Sequence, residues 1–385
     1  MLNNNALNQL INTEFNLKPD IYYLNHAAVS PWPARTKQAI CDFADENHQM
    51  GSFNYLGWVK TETQLRQQLA ELINAVSTEE IALLKNTSEA LSVVAHGIQW
   101  QSGDNVVISD QEFPSNRIVW ESLINQGVNI ILVDLDSSDS PEDALINKID
   151  RNTRILSISS VQYSTGLRLD LAKLGQACSD KQCLFCVDAI QSIGAMRVDV
   201  QECKIDFLMA DGHKWMLAPE GLALFYCCSK HLETLQLHQF GWRMIENPHD
   251  FEQVTWKSAK SARRFECGSP NMLGIHALSA SLSLINDVGM IELEARLRAN
   301  VQYLFTLLDN VPKTTILTDR DENRFAGIVT FRFHEKDGLY HQRLYQFLME
   351  NKVMCAYRGG GIRFSPHFYT SENVMSSAVS ILESF

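Results

Sequence analysis

The chain has 385 residues, 45% of them hydrophobic, and carries 33 Lys and Arg against 45 Asp and Glu, a formal net charge of −12 at pH 7. A chain of this size buries a large core, as two domains or one large domain with an appendage. Its acidic balance disfavours nucleic acid and anionic membranes, which require a basic face, and no apolar run reaches the roughly 18 residues of a membrane span.

The opening "MLNNNALNQLINTEF" has neither a basic n-region nor a continuous apolar h-region, so no secretory signal and a cytoplasmic location are expected. Nine scattered cysteines, an odd number, fit a reducing compartment better than a disulfide framework. Cys183 and Cys186 form a CxxC inside the strand-like "CLFCVDA". Strand alternation puts their sulfurs on opposite faces, and no second ligand pair is suitably spaced, so they read as core residues and no metal is expected.

Along the chain, apolar residues at helical spacing predict a helix in "TETQLRQQLAELINA" (61–75), followed by a strand "IALLKN" (81–86) and a helix "SEALSVVAHGIQW" (88–100). The pattern then repeats. "DNVVISD" (104–110), "NIILVDL" (129–135), "TRILSISSV" (153–161) and "CLFCVDAI" (183–190) read as strands. Between them lie the helical "SNRIVWESLINQG", "SPEDALINKI", entered through Ser140 and Pro141, and "LDLAKLGQACSDK". Strands alternating with such helices predict an α/β fold, a mostly parallel sheet with helices on both faces. After about Gly241 a polar stretch leads into a long helix (272–288), and the remainder reads as a smaller α+β domain. The expected division is an N-terminal arm at 1–17, a large domain at 18–286 and a small domain at 287–385.

Chemistry concentrates in "ADGHKWMLAPEG" (210–221), a turn between the apolar runs "KIDFLMAD" and "GLALFYC". A lysine in such a strand-end turn, among aromatic groups, can lose its proton and attack a carbonyl, typically that of an aldehyde cofactor. The alternative for Lys214 is a solvated loop charge. A phosphorylated cofactor needs a cradle, and the helix start at Thr87 and Ser88 offers free N–H groups and hydroxyls, although residues of these types also make simple N-caps. Asp188 ends an apolar strand, where a carboxylate needs a cationic partner such as a protonated ring nitrogen. Its other role would be to cap the next turn. Gln191, three residues on, could reach a ring oxygen. Phe113 could stack on a planar cofactor or pack in the core. Arg363, after three glycines, suits a substrate carboxylate bidentately or sits on an edge strand.

The ordered stretches "LNHAA", "NTSEA", "EFPSN", "VDAIQS", "DGHK", "RFECGSPN" and "IRFSP" resemble the fold type I, pyridoxal-phosphate-dependent class V aminotransferase family, which includes cysteine desulfurases, kynureninase and isopenicillin N epimerase. The resemblance covers nearly the whole chain. It implies the cofactor pyridoxal 5'-phosphate, with Lys214 forming the internal Schiff base and moving protons at the substrate α-carbon. It also implies that Asp188 pairs with the ring nitrogen, Gln191 contacts the ring oxygen and Phe113 stacks on the ring. Thr87, Ser88 and His213 would hold the phosphate, and Arg363 would clamp the substrate carboxylate. Asn25 and His26 would border the substrate. Ser269 would reach the phosphate of a neighbouring subunit's cofactor, making a homodimer with shared sites.

Departures from the family pattern bear on the reaction. Desulfurases carry a nucleophilic cysteine on a loop shortly before the carboxylate-binding arginine, whereas here the segment is "YRGGGIRF", and Cys355 lies earlier, in a strand. Phe113 stands where desulfurases have histidine, and Tyr163 where they have asparagine. Gly241 and Trp242 resemble a kynureninase pair near the phosphate. The resulting expectation is an enzyme acting on an amino acid, with transamination placed slightly ahead of desulfurase, lyase or epimerase chemistry. A catalytically silent binding subunit of the same fold and a phosphate-ligand binder without aldehyde chemistry are the contrasting readings.

Overall fold

The computed structural model describes residues 4–137, 140–334 and 336–385. The chain begins with α1 (Asn4–Glu14), β1 (Tyr22–Tyr23), α2 (Ala34–Met50) and α3 (Tyr55–Leu72). The first half of the α/β core follows as β2 (Ile81–Leu84), α4 (Thr87–Gly97), β3 (Asn105–Ser109), α5 (Ser115–Glu121), β4 (Asn129–Val133) and α6 (Pro141–Lys148). The second half is β5 (Thr153–Ser159), α7 (Leu171–Asp180), β6 (Leu184–Asp188), β7 (Phe207–Asp211) and β8 (Ala223–Cys227). Two long helices, α8 (Met272–Val288) and α9 (Met290–Asp309), lead to β9 (Thr314–Ile316), β10 (Val329–Phe333), α10 (Gly338–Glu350), β11 (Val353–Met354), β12 (Ala356–Arg358), β13 (Gly361–Phe364) and α11 (Glu372–Glu383).

The large sheet has seven strands in the order β2-β8-β7-β6-β5-β3-β4. All pairs are parallel except the two that involve β8, which runs against both neighbours. Strand alternation divides the apolar residues between two cores. Phe185, Val187, Leu208, Ala210 and Leu224 join one cluster, while Cys186, Phe207, Met209, Phe225 and Cys227 join the other. A sheet buried on both faces explains why these strands read as continuous apolar runs. Cys183 and Cys186 fall into different clusters, on opposite faces as their spacing predicts.

Helix starts follow their caps. Ser140, Asp170, Asn271, Asp337 and Ser371 each accept a hydrogen bond from the backbone of the first turn. The α8–α9 junction is a single glycine, Gly289, at φ +80°, a left-handed conformation that would strain any residue with a Cβ. The chain passes there from α8, packed on α2 and α3, to the small domain.

The small domain carries the antiparallel sheet β12-β13-β10-β9 over its own apolar cluster. Residues 22–25, expected in the large domain, belong to this side instead. Strand β1 pairs with β11, Leu24 lies in the small-domain cluster and Asn25 bridges to Ser365. The short "YYL" run finds its backbone partners only after nearly the whole chain has passed, so no local pattern reveals it. No helix among the described residues is long and apolar enough to cross a membrane.

Candidate active site

In the large sheet all strands but β8 run the same way, so the chain leaves β2, β3, β5, β6 and β7 at one edge. That edge is where open α/β sheets hold their ligands. The turns there carry Thr87, Phe113, Tyr163, Asp188 and Lys214, each from a different strand end.

Lys214 is partly buried, with no ion pair or hydrogen bond on its amine among the described residues; its Nζ lies 5.8 Å from the centre of the Phe113 ring. Burial lowers its pKa, and Arg363 and Arg358 push in the same direction, against the pull of Asp188. Asp188 is 2% exposed, and its Oδ1 accepts from Ile190 N at 3.0 Å. Desolvation raises its carboxyl well above the usual range, only partly opposed by that hydrogen bond and by Lys214. The two groups are thus held near each other in a setting that favours an uncharged lysine and leaves the carboxyl short of cationic partners.

The Phe113 ring meets the Tyr163 ring edge-on at 5.2 Å. Beneath it the buried Glu112 accepts from Ser109 Oγ, Asn116 Nδ2, Ser159 N and Oγ, and Gln162 Nε2, which fixes the turn after β3 to the end of β5. From the small domain Arg363, 2% exposed, donates through Nη1 to Tyr163 O at 2.7 Å, while its Nε has no partner. Desolvation, with Arg358 beside it, lowers its pKa to about 10. A buried guanidinium with no carboxylate of the protein beside it suits a bound anion.

The start of α4 differs from its expected form. The cap is Asn86, whose Oδ1 accepts from Glu89 N at 2.9 Å, so the hydroxyls of Thr87 and Ser88 are released from capping. Ser88 Oγ bonds Ser115 Oγ at 2.8 Å, and the buried Thr87 Oγ1 has no partner. His213 Nδ1 lies 3.0 Å from Asp211 Oδ1, and Ser30 N donates to His213 O at 2.8 Å. That bond brings the 25–30 turn against the lysine. Asn25 Oδ1 in this turn is buried and unpartnered.

His26 departs from its expected place beside the substrate. It is fully buried, with Nδ1 on Ser365 O at 2.8 Å and Nε2 on Tyr369 Oη at 2.7 Å. Desolvation lowers its pKa to about 4, so it is a neutral structural group that ties the 24–28 segment to the small domain.

Trp242 and Ser269 are exposed and lie apart from this group; the Trp242 ring meets His249 and Phe251. Their segments are anchored by a buried charge cluster. Arg66 bridges Glu266 at 2.6 Å and Glu62 at 2.7 Å, Arg243 joins Glu62, and Leu83 N donates to Glu266 Oε1 at 2.8 Å. Although desolvation opposes it, the contact with Glu266 and Glu62 raises the pKa of Arg66. Removing Glu266 leaves two buried arginines to share Glu62 and the buried Leu83 N–H without its acceptor. Glu266→Ala should therefore cost about 3–5 kcal/mol, measured by denaturant unfolding.

Arg358, missed in the sequence, shares the sheet face of Arg363: in the β12–β13 ladder it stands opposite Gly361, two residues from Arg363. Only the hairpin register could have revealed it.

Residues 22–368 match the family model for class V aminotransferases. The chain belongs to this family. It is accordingly a pyridoxal-phosphate-dependent enzyme of fold type I. Among curated relatives, a probable cysteine desulfurase of Pyrococcus abyssi is 27% identical, the match covering 95% of this chain and 94% of the relative. An uncharacterized aminotransferase of Bacillus subtilis, YcbU, is 28% identical over 89% of this chain and 88% of its own. Among solved structures, the cystine C–S lyase C-DES in complex with its product cysteine persulfide superposes with a TM-score of 0.88 at 24% identity, covering 95% of this chain and 98% of that one. The apo cysteine desulfurase of Thermococcus onnurineus NA1 gives 0.85 at 22%, over 97% and 96%. These structural likenesses speak for the fold.

The donor set fits the cofactor. A free hydroxyl at a helix N-terminus suits a phosphate, a desolvated carboxyl suits a protonated ring nitrogen, and an unpaired lysine against an aromatic ring suits a planar aldehyde.

Proposed function

We propose that the chain is a lyase that cleaves the β carbon–sulfur bond of L-cysteine or L-cystine. The observation that carries this reading is the lack of a usable thiol beside the carboxylate site. Cys355, the cysteine nearest Arg363 in sequence, is 1% exposed in the small-domain core, and burial raises its pKa to about 12. A desulfurase hands sulfur to its own thiolate, which such a group does not supply. The sulfur would instead leave as sulfide or persulfide, with water completing pyruvate and ammonia. The probable cysteine desulfurase among the relatives and the C–S lyase among the structural neighbours also support carbon–sulfur chemistry, whereas the transamination preferred from the sequence is favoured only by the name of an uncharacterized aminotransferase.

When bound, pyridoxal phosphate supplies an electron sink for the negative charge that develops at the substrate α-carbon. In this reading Lys214 Nζ takes the α-proton, and its lowered pKa keeps a fraction of it unprotonated near neutrality. Asp188 holds the proton on the ring nitrogen. Thr87, Ser88 and His213 hold the phosphate, and Phe113 covers one face of the ring. Arg363 clamps the α-carboxylate, with Asn25 and Tyr163 at the substrate's border. Trp242 would lie near the phosphate, and Ser269 would reach the phosphate of the partner subunit's cofactor in a homodimer. The free cysteines and acidic charge fit a cytoplasmic location.

The test is product analysis with L-cysteine and L-cystine. The lyase yields pyruvate and ammonia in step with sulfide or persulfide. Alanine in place of pyruvate would mean desulfuration, and a 2-oxo acid formed only with an amino acceptor would mean transamination. Cys355→Ala should leave turnover within about twofold, as expected of a buried thiol without a chemical role. Arg363→Ala should raise KM for the amino acid about 100-fold, one charge-assisted bidentate contact of roughly 3 kcal/mol, while cofactor affinity changes little. Equal losses of substrate and cofactor binding would contradict the clamp.

A further inference from the structure

Trp215 follows Lys214 directly and is fully buried. Its indole Nε1 donates to Gln191 Oε1 at 2.8 Å, and Gln191 Nε2 donates to Ala27 O at 3.1 Å. An indole N–H can only donate and a backbone carbonyl can only accept, so both contacts demand the same orientation of the Gln191 amide. The reversed amide would set donor against donor and acceptor against acceptor.

The indole itself cannot turn. A Cβ at Gly327 would come within 2.2 Å of its ring, and Ala195, Met196, Ala326 and Ile328 complete the slot between the domains. The backbone is held as well. His367 Nδ1 accepts from Phe368 N at 2.8 Å, which leaves the proton on Nε2 for Trp215 O at 3.1 Å. The oxygen of Gln191 therefore faces the packed slot. Its NH2 group faces the 25–30 turn, which Ser30 ties to His213 beside the lysine.

We propose that Trp215 is a positioning residue that locks Gln191 with one N–H free toward the cofactor's phenolic oxygen, so that this oxygen is held as an acceptor carrying negative charge. The proposal rests on the cofactor assignment above and on Gln191 reaching that oxygen. A donor on the phenolic oxygen withdraws charge that would otherwise hold the neighbouring proton on the lysine-linked nitrogen. That proton is then released at lower pH.

The experiment is a pH titration of the visible absorption of the holoenzyme. Trp215→Phe should raise the midpoint by about one pH unit, the worth of roughly one hydrogen bond. Gln191→Leu should raise it at least as far, and the double variant should sit at the Gln191→Leu value, because Trp215 acts only through Gln191. A Trp215→Phe midpoint equal to wild type, or a shift that adds to that of Gln191→Leu, would overturn the proposal. If Trp215→Phe does not fold, benzothienylalanine at position 215 keeps the ring's size and lacks the N–H, and the same two outcomes apply. A colourless wild-type protein whose visible band pyridoxal phosphate cannot restore would overturn the cofactor assignment itself; a band whose midpoint ignores Trp215 overturns only this inference.

Discussion

Lys214→Ala should lower turnover by about 10⁴-fold, the upper range for a group that both carries and moves a proton in the reaction, and should abolish covalent attachment of the cofactor. The expectation rests on the amine's surroundings. It has no ion pair, faces the Phe113 ring at 5.8 Å, and has its pKa lowered by burial and by Arg363. Lys85, in the turn after β2 at the same edge, is exposed and does not replace it. The check is single-turnover kinetics with the variant's absorption spectrum. A variant retaining more than a hundredth of wild-type turnover would remove Lys214 from the chemistry.

Asp188→Ala should cost about 10³-fold in kcat, corresponding to roughly 4 kcal/mol for breaking a buried charge pair. The carboxyl sits at the end of β6 with its pKa raised by desolvation, a state that a protonated ring nitrogen would relieve. Because it acts on the ring and not on the attachment, the variant should still bind pyridoxal phosphate through Lys214, and rate and binding should separate. Full activity in Asp188→Ala would mean that the carboxyl only shapes the following turn, where it already accepts from Ile190 N.

Much of this architecture was legible in the sequence because its signals are local. Strand runs such as "CLFCVDAI" and helices opened by Ser140 or Asp170 carry their own period and caps, and they formed where expected. The reversed β8 was not legible, since a fully buried strand reads the same in either direction. Helix α2 escaped notice because most of it is polar: only Thr36 along it is buried, with Phe43 partly buried against the core. The cap at Asn86 was overlooked beside the more conspicuous Thr87 and Ser88, yet it is what frees those hydroxyls.

At the site, residues at strand ends were easier to find than residues that meet across domains. His26 looked like a substrate neighbour because it lies in a turn beside Asn25. Its role depends on Ser365 and Tyr369, more than 300 residues away. Trp215 looked like context for the lysine, and only its bond to Gln191 shows what it holds. Trp242 and Ser269 are both exposed, and of the two only the role expected of Ser269 involves a second copy.

The most direct test of the account is reduction of the purified protein with borohydride, followed by peptide mapping. The account predicts a yellow protein whose visible band disappears on reduction, with the pyridoxyl label on Lys214. A label on another residue, or a colourless protein that pyridoxal phosphate cannot restore, would contradict it.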